Sequence, residues 1–99
     1  MSIVQVMRFR CEPAKLEAVI RARPEEAKAA GEHARSLGCL HHRVVARDDE
    51  LMLIEDWPTV EDSSKVWFQR GLSLWLEAGI PLEPEERGYY RTLSDPGEF

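Results

Sequence analysis

The chain contains no asparagine, only two cysteines and only three histidines. It also has no apolar run near the ~20 residues of a membrane-spanning helix, so we expect no membrane span. No run of Lys and Arg forms a basic stripe, and 18 acidic residues against 13 basic ones give a net charge of −5. Nucleic acids and anionic membrane surfaces are therefore not expected as partners.

The two cysteines, Cys11 and Cys39, lie far apart and show no CxxC spacing. Residues 3–9 open directly into a strand-like pattern, without the basic leader and apolar segment of a signal peptide. We therefore expect a cytoplasmic protein whose two thiols are free, small, buried hydrophobic groups. Its 99 residues fit one domain, 1–99, with a thin core that dimerisation would enlarge.

The centre of the chain predicts a β-hairpin. Two segments rich in Val, Leu, Ile and Met, Cys39–Arg47 and Leu51–Trp57, flank Asp48-Asp49. Aspartate tolerates the left-handed backbone that tight hairpin turns require. Pro58 should end the second strand because proline has no N–H to donate to a neighbouring strand.

The length of the turn decides which side chains meet on the hairpin. A two-residue turn pairs His42 with Glu55 and Leu40 with Trp57, and it places all four on one face. A three-residue turn would instead place His41 beside Trp57. The two-residue turn is the preferred register.

Strand and helix patterns precede the hairpin. Residues 2–10 alternate as a strand does, with apolar side chains on both faces. Pro13 suits the first position of a helix. Pro24 should break this helix near Arg23 and start a second one, which Gly38 should terminate.

A helical region and a last strand follow the hairpin. Thr59 is a candidate N-cap for the region, which is rich in aromatic residues and which Gly71 should divide. Gly88–Leu93 predicts the final strand. The order β-α-β-β-α-β predicts a ferredoxin-like α+β fold with an antiparallel sheet. Helices cover only one face of such a sheet, so we expect the apolar second face to pack against another copy in a homodimer.

Four short motifs mark corresponding points of the expected fold. They are Arg8-Phe9-Arg10 at the end of the first strand, Pro13 at the helix start, Gly38-Cys39-Leu40 before the second strand, and Glu55-Asp56-Trp57 closing the third. Together they resemble the antibiotic biosynthesis monooxygenase family over residues 2–94. The resemblance implies a dimeric α/β barrel with a pocket between sheet and helices. Known members include cofactor-independent oxygenases of phenols and dihydroquinones, and haem-degrading enzymes.

The haem-degrading branch of this family can be tested by its motif. It uses an Asn on the first strand, a Trp closing the third strand and a His on the next helix. Trp57 matches the Trp, but Met7 stands near the Asn position and Trp67 at the His position. Because indole only donates hydrogen bonds, Trp67 cannot bind iron. We therefore expect no haem degradation and no bound cofactor.

Residue chemistry, combined with the resemblance, selects the candidate site. His42 is a candidate general base, since imidazole titrates near neutral pH, and Tyr89 is the alternative base. His41 and His42 point to opposite faces and cannot share an ion, so no metal site is expected. The expected pocket residues are mostly aromatic or positively charged: Met7, Trp57, Trp67, Phe68, Trp75, Arg8 and Arg91. Core packing and surface ion pairs are the structural alternatives for these residues.

The leading functional hypothesis is a cofactor-independent monooxygenase that acts on an electron-rich aromatic small molecule of the phenol or dihydroquinone type. One alternative is a non-catalytic dimeric module that binds a small hydrophobic or aromatic ligand in the same cavity. Another is a domain whose only role is dimerisation. A base within reach of a bound phenol distinguishes the first hypothesis from the second.

Overall fold

The computed structural model describes residues 2–64 and 71–99. It shows an antiparallel four-stranded sheet in the order β2-β3-β1-β4, with β1 at Ile3–Arg10, β2 at His41–Arg47, β3 at Glu50–Trp57 and β4 at Glu86–Arg91. The helices are α1 (Pro13–Ala22), α2 (Pro24–Ser36), α3 (Val60–Ser63) and α4 (Leu72–Glu77). The order of these elements confirms the predicted ferredoxin-like α+β fold.

Proline and glycine set the helix boundaries where the sequence predicted them. Pro13 and Pro24 lie at the starts of α1 and α2, and Arg23 between the helices has a non-helical φ of −133° and ψ of 60°. Proline has no N–H for the hydrogen bond that would continue α1. Gly38 follows α2 with a φ of 109°, a backbone conformation that residues with a side chain rarely adopt. The break between α1 and α2 is thus confirmed.

The hairpin register is also confirmed. Arg47 pairs with Glu50, so the turn consists of Asp48 and Asp49, and Asp48 has a left-handed φ of 45°. His42 is consequently the cross-strand partner of Glu55, which excludes the three-residue alternative. The strand β2 begins at residue 41, two residues later than the sequence suggested.

Alternation along β1 and β3 places the core on the helix-facing side of the sheet. Seven side chains point inward and are buried: Gln5, Met7, Phe9, Leu51, Leu53, Glu55 and Trp57. Leu16 of α1 and Ala34 of α2 belong to the same hydrophobic cluster. Two of the inward residues, Gln5 and Glu55, are polar, and they lie directly opposite each other on neighbouring strands.

The other side of the sheet carries an apolar surface, which we call the open face. It includes Val4, Val6, Met52, Ile54 and Tyr90. Tyr90 is 60% exposed, and the four aliphatic side chains are partly exposed. The buried helix residues Leu16 and Ala34 belong to the core cluster on the opposite side. The open face is therefore the surface on which the sequence-based dimer hypothesis depends.

The segment after the hairpin is partly described. The hydroxyl of Thr59 accepts a hydrogen bond from the backbone N–H of Asp62 at 3.1 Å, which confirms Thr59 as an N-cap. The helix α4 follows Gly71, and β4 begins two residues before the predicted strand. Trp67 and Phe68, two of the expected pocket residues, lie outside the described residues.

Candidate functional site

Four polar side chains form a line across the sheet, which we call the polar row. Tyr89 on β4 is paired with Gln5 on β1, Gln5 with Glu55 on β3, and Glu55 with His42 on β2. Cross-strand partners project to the same side of a sheet. All four side chains of the polar row therefore lie on the helix-facing side, although β1 and β4 are far apart in sequence.

Glu55 has the most confined position in the polar row. Its side chain is 0% exposed. Its Oε2 atom lies 3.0 Å from Nδ1 of His42, and its Oε1 accepts a hydrogen bond of 3.1 Å from Nε1 of Trp57. Removing a carboxylate from water is costly unless its oxygens are compensated by donors. Both Glu55 oxygens have such a partner.

Gln5 links the other half of the polar row. Its Nε2 donates to the hydroxyl of Tyr89 over 3.4 Å, and its side chain is only 3% exposed. Among residues 2–64 and 71–99, no donor reaches Gln5 Oε1. Tyr89, the alternative base, is thus at the opposite end of the row from His42, and the two do not share a hydrogen bond.

His42 lies at the wall of an apolar cavity of about 130 Å³ between the sheet and the helices. Its side chain is 34% exposed. The other walls are mostly aliphatic and aromatic, and include Leu16, Ile20, Ala34, Leu53, Leu74 and Trp75. A dry cavity of about 150 Å³ is known to hold benzene in another protein. The cavity beside His42 therefore has a size and polarity suited to an aromatic ring.

A more open groove of about 420 Å³ runs between α2 and β2 on the other side of His42. The groove and the apolar cavity share Ala27, Gly31, Ala34 and His42 as wall residues. Nothing lies within 4 Å of the position that a Cβ atom at Gly31 would take. His42 thus lines both the apolar cavity and the groove, and α2 contributes small side chains to both walls.

The expected aromatic walls have different positions in the structure. Trp75 borders the cavity and packs edge-on against Phe9, with ring centroids 5.2 Å apart. Trp57 is completely buried, and Met7 is 6% exposed in the core. Neither Trp57 nor Met7 belongs to the wall of this cavity. Trp57 reaches the site through its hydrogen bond to Glu55.

The two expected arginines lie away from His42. Arg8 is on the open face, where its guanidinium contacts Glu86 at 2.9 Å and Glu50 at 3.2 Å. The hydrogen bonds to Glu86 and then Glu50 raise the pKa of Arg8 above its ordinary value. Arg91 is exposed and is paired with Ile3 at the end of the sheet. The structure thus uses Arg8 in surface ion pairs, which is the alternative considered above.

The two-residue turn predicted that His42 pairs with Glu55, but neither Glu55 nor Gln5 was among the expected site residues. A usable signal was present in β3, where Glu55 occupies an inward position between Leu53 and Trp57. A charged residue at such a position needs partners, since ionised side chains are almost never buried alone. The matching signal for Gln5 was its inward position between Ile3 and Met7.

Cys39 lies near the site and gives a test of local burial. Its thiol donates to the backbone carbonyl of His41 at 3.2 Å, and neither cysteine forms a disulfide. Desolvation by burial, with the nearby Glu55 carboxylate, raises the pKa of Cys39 to about 11. Desolvation likewise raises the pKa of Cys11. Because only the thiolate is nucleophilic, both thiols should be poorly reactive at neutral pH.

We therefore predict slow reaction of the native protein with a thiol-specific disulfide reagent. At pH 8, a thiol with a pKa near 11 is ionised to about one part in a thousand, and labelling of Cys39 should accelerate as the pH approaches that value. Denaturation in urea should release two reactive thiols per chain. Rapid labelling of folded protein at pH 8 would contradict the burial of Cys39, and no thiols in urea would indicate a disulfide.

Among residues 2–64 and 71–99, no three side chains of His, Cys, Asp or Glu are placed to hold a metal ion. No helix formed by these residues has the length and apolar character to cross a membrane.

Known structures share this fold. SnoaB from Streptomyces nogalater, a cofactor-independent oxygenase, is similar with a TM-score of 0.62 and 21% identity, over 98% of each chain. A candidate antibiotic biosynthesis monooxygenase from Chloroflexus aurantiacus gives a TM-score of 0.59 at 16% identity, over 98% of each chain. Another from Bordetella bronchiseptica gives 0.60 at 18% identity, over 94% of this chain and 98% of that one.

These similarities confirm, at the level of the fold, the resemblance to antibiotic biosynthesis monooxygenases. The match extends over nearly the whole length of each chain. No family model and no curated protein sequence matches the chain. The function must therefore be argued from the site itself.

Proposed function

We propose that this protein is a cofactor-independent monooxygenase of an electron-rich aromatic small molecule of the phenol or dihydroquinone type. The observation that carries the proposal is the place of His42, which borders an apolar cavity while its Nδ1 lies 3.0 Å from the buried carboxylate of Glu55. A general base at the wall of a ring-sized apolar cavity suits removal of a phenolic proton. The similarity in fold to SnoaB supports the same reaction class.

In the proposed reaction, His42 takes the proton of the phenol, and the electron-rich ring carbon of the phenolate bonds to O₂. The peroxide formed there takes the proton back from His42. Loss of the ring proton at the same carbon then breaks the O–O bond and leaves a carbonyl group, and the released hydroxide combines with a proton to form water. One oxygen atom thus enters the quinone product and the other leaves as water. The substrate supplies all four electrons that reduce O₂, so the overall conversion of phenol and O₂ to quinone and water needs no external reductant.

The surrounding side chains have simple tasks in this reaction. Leu16, Leu53 and Trp75 would hold the ring and exclude water from the reacting carbon. The Glu55 carboxylate would stabilise the imidazolium that forms when His42 accepts the proton. Stacking by Trp57 or Trp67, and charge neutralisation by Arg8 or Arg91, stay predictions.

The reaction can be tested with ¹⁸O₂ and a panel of phenols, dihydroquinones and anthrones. The proposal predicts protein-dependent O₂ uptake and a quinone that carries one ¹⁸O atom, with the second atom in water. Oxygen consumption no faster than in buffer across the panel would contradict it. Ligand binding by calorimetry on the same panel would then identify the second candidate, a non-catalytic binding module, which the aliphatic lining of the cavity favours.

We further propose that the protein is a cytoplasmic homodimer. The free thiols suit a reducing compartment. The open face places Val4, Val6 and Ile54 side by side on the two central strands, an apolar surface that a second copy of the sheet would bury. Pairing of two open faces is the arrangement that the resemblance implies.

Sedimentation at micromolar concentration should give about twice the 11.4 kDa mass of the chain. Ile54→Asp, which introduces a charge at the centre of the open face, should shift the protein towards monomer because an interface cannot bury an unpaired carboxylate cheaply. Val60→Asp is the matched control, since Val60 lies on α3 and is already 45% exposed. A wild-type protein that sediments as a monomer would contradict the dimer.

A further inference from the structure

The three groups around Glu55 allow only one arrangement of protons when His42 is neutral. Trp57 Nε1 carries a hydrogen and can only donate, and an ionised carboxylate can only accept. Oε1 of Glu55 is occupied by the Trp57 donor at 3.1 Å, and Oε2 lies 3.0 Å from His42 Nδ1. A hydrogen bond at Oε2 therefore requires the proton on Nδ1, which leaves the lone pair of the ring on Nε2.

We propose that Glu55, fixed by Trp57, is the positioning residue that holds neutral His42 in the Nδ1–H tautomer, so that Nε2 is the atom that accepts the phenolic proton. This inference rests on the proposed function, in which His42 is the base. Glu55 is fully buried and is not part of the cavity wall, whereas His42 is. Glu55 thus acts on the substrate only through the imidazole ring.

The burial of Glu55 makes its control of the His42 tautomer effective. In a water-exposed histidine the two tautomers exchange through solvent, and neither ring nitrogen is strongly favoured. Here the carboxylate is shielded from water, and a hydrogen bond to a charged acceptor is about twice as strong as one between neutral groups. Turning the His42 ring over, or moving its proton to Nε2, would remove a donor from a buried charge.

Trp57 has a separate part in the arrangement. Without the indole donor at Oε1, either of the two terminal polar atoms of a Glu or Gln side chain at position 55 could face His42. With Trp57 present, the atom facing the indole must be an acceptor. This asymmetry predicts that a glutamine at position 55 inverts the tautomer of His42.

The variant Glu55→Gln tests the prediction. The amide oxygen must accept from Trp57, so the NH₂ group faces Nδ1 of His42, which becomes an acceptor while the ring proton moves to Nε2. Side-chain ¹⁵N chemical shifts at a pH where the ring is neutral report the tautomer directly, and the His42→Ala spectrum assigns the signals. We expect the wild type to show Nδ1–H and the variant Nε2–H. Glu17→Gln, an exposed position on α1, is the matched control.

If the protein turns over a phenol, steady-state kinetics provide a second test of the positioning role of Glu55. In the Glu55→Gln variant, kcat should fall about 10²-fold or more, because Nε2, the proposed proton acceptor, no longer has a lone pair. KM should change little, because Glu55 is not part of the cavity wall. A purely structural role of Glu55 would lower the melting temperature without inverting the tautomer.

The double variant Glu55→Gln with Trp57→Phe separates positioning from packing. Removing the indole donor lets the amide turn its oxygen towards His42, so the Nδ1–H tautomer should partly return and kcat should rise above that of Glu55→Gln alone. If both substitutions only damaged packing, their effects would add, and the double variant would have the lowest kcat.

The outcomes distinguish this inference from the proposed function. An Nε2–H tautomer in the wild type, or an unchanged Nδ1–H tautomer in a folded Glu55→Gln protein, overturns the positioning role. If the Glu55→Gln protein does not fold, the His42 tautomer in the wild-type spectrum decides whether Glu55 has the positioning role. Tautomer inversion in a protein that consumes no O₂ with any phenol supports the positioning role and contradicts the oxygenase proposal.

Discussion

Replacing Trp57 by alanine is expected to lower the free energy of unfolding by ~3–5 kcal/mol, as for other buried aromatic residues cut back to Ala. Trp57 is 0% exposed in the core beside Leu53, and its indole is one of the two donors to the buried Glu55 carboxylate. The substitution therefore removes packing and also leaves Oε1 without its partner. Urea denaturation monitored by circular dichroism measures the change.

Two matched variants serve as controls for the stability loss of Trp57→Ala. Trp57→Phe keeps an aromatic ring and removes the N–H group, so we expect a smaller loss of about 1–3 kcal/mol from the unsatisfied Glu55 oxygen. Leu76→Ala, at a position 56% exposed on α4, should change stability by no more than about 0.5 kcal/mol. A Trp57→Ala protein as stable as the wild type would show that Trp57 is not a core residue.

The same variants test whether Trp57 also stacks against a ligand. If Trp57 is a wall of the binding site, Trp57→Phe should weaken binding of planar aromatic compounds while unfolding remains cooperative. Unchanged affinity together with a large loss of stability would support a structural role. The complete burial of Trp57 and its absence from the wall of the cavity beside His42 favour the second result.

His42→Ala is expected to lower the rate of phenol-dependent O₂ uptake about 10²–10⁴-fold, the usual contribution of a positioned general base. The residual rate should rise with pH, because substrate that ionises in solution no longer requires a base. In the wild type the rate should also increase with pH as the phenol or the base loses its proton. An oxygen electrode with excess substrate measures both effects.

His33→Ala is the control for His42→Ala. His33 lies on α2, where its backbone carbonyl accepts a hydrogen bond from the hydroxyl of Ser36, and it is not a wall residue of the cavity or the groove. It should keep the wild-type rate. Equal activity of His42→Ala and the wild type would contradict the role of His42 as the base. It would leave Tyr89, at the other end of the polar row, as the candidate base.

The local structure of this protein was predictable from its sequence. Asp48 and Asp49 specified the two-residue turn, and that turn placed His42 opposite Glu55 because side chains alternate strictly along strands. Pro24 specified the break between α1 and α2, since it cannot complete a helical hydrogen bond. These features depend on neighbours in the chain, so local patterns were sufficient to predict them.

The assembly of the site, in contrast, depends on contacts between segments that are distant in sequence. Tyr89 meets Gln5 across 84 positions of sequence, and this pairing required β4 to join the sheet beside β1. The inward position of Glu55 can be inferred from the alternation in β3, but its complete burial depends on the other elements that cover this side of the sheet. Cross-strand pairing between distant segments and the exclusion of water by helices are properties of the whole fold, and they give Glu55 its two partners and His42 its cavity.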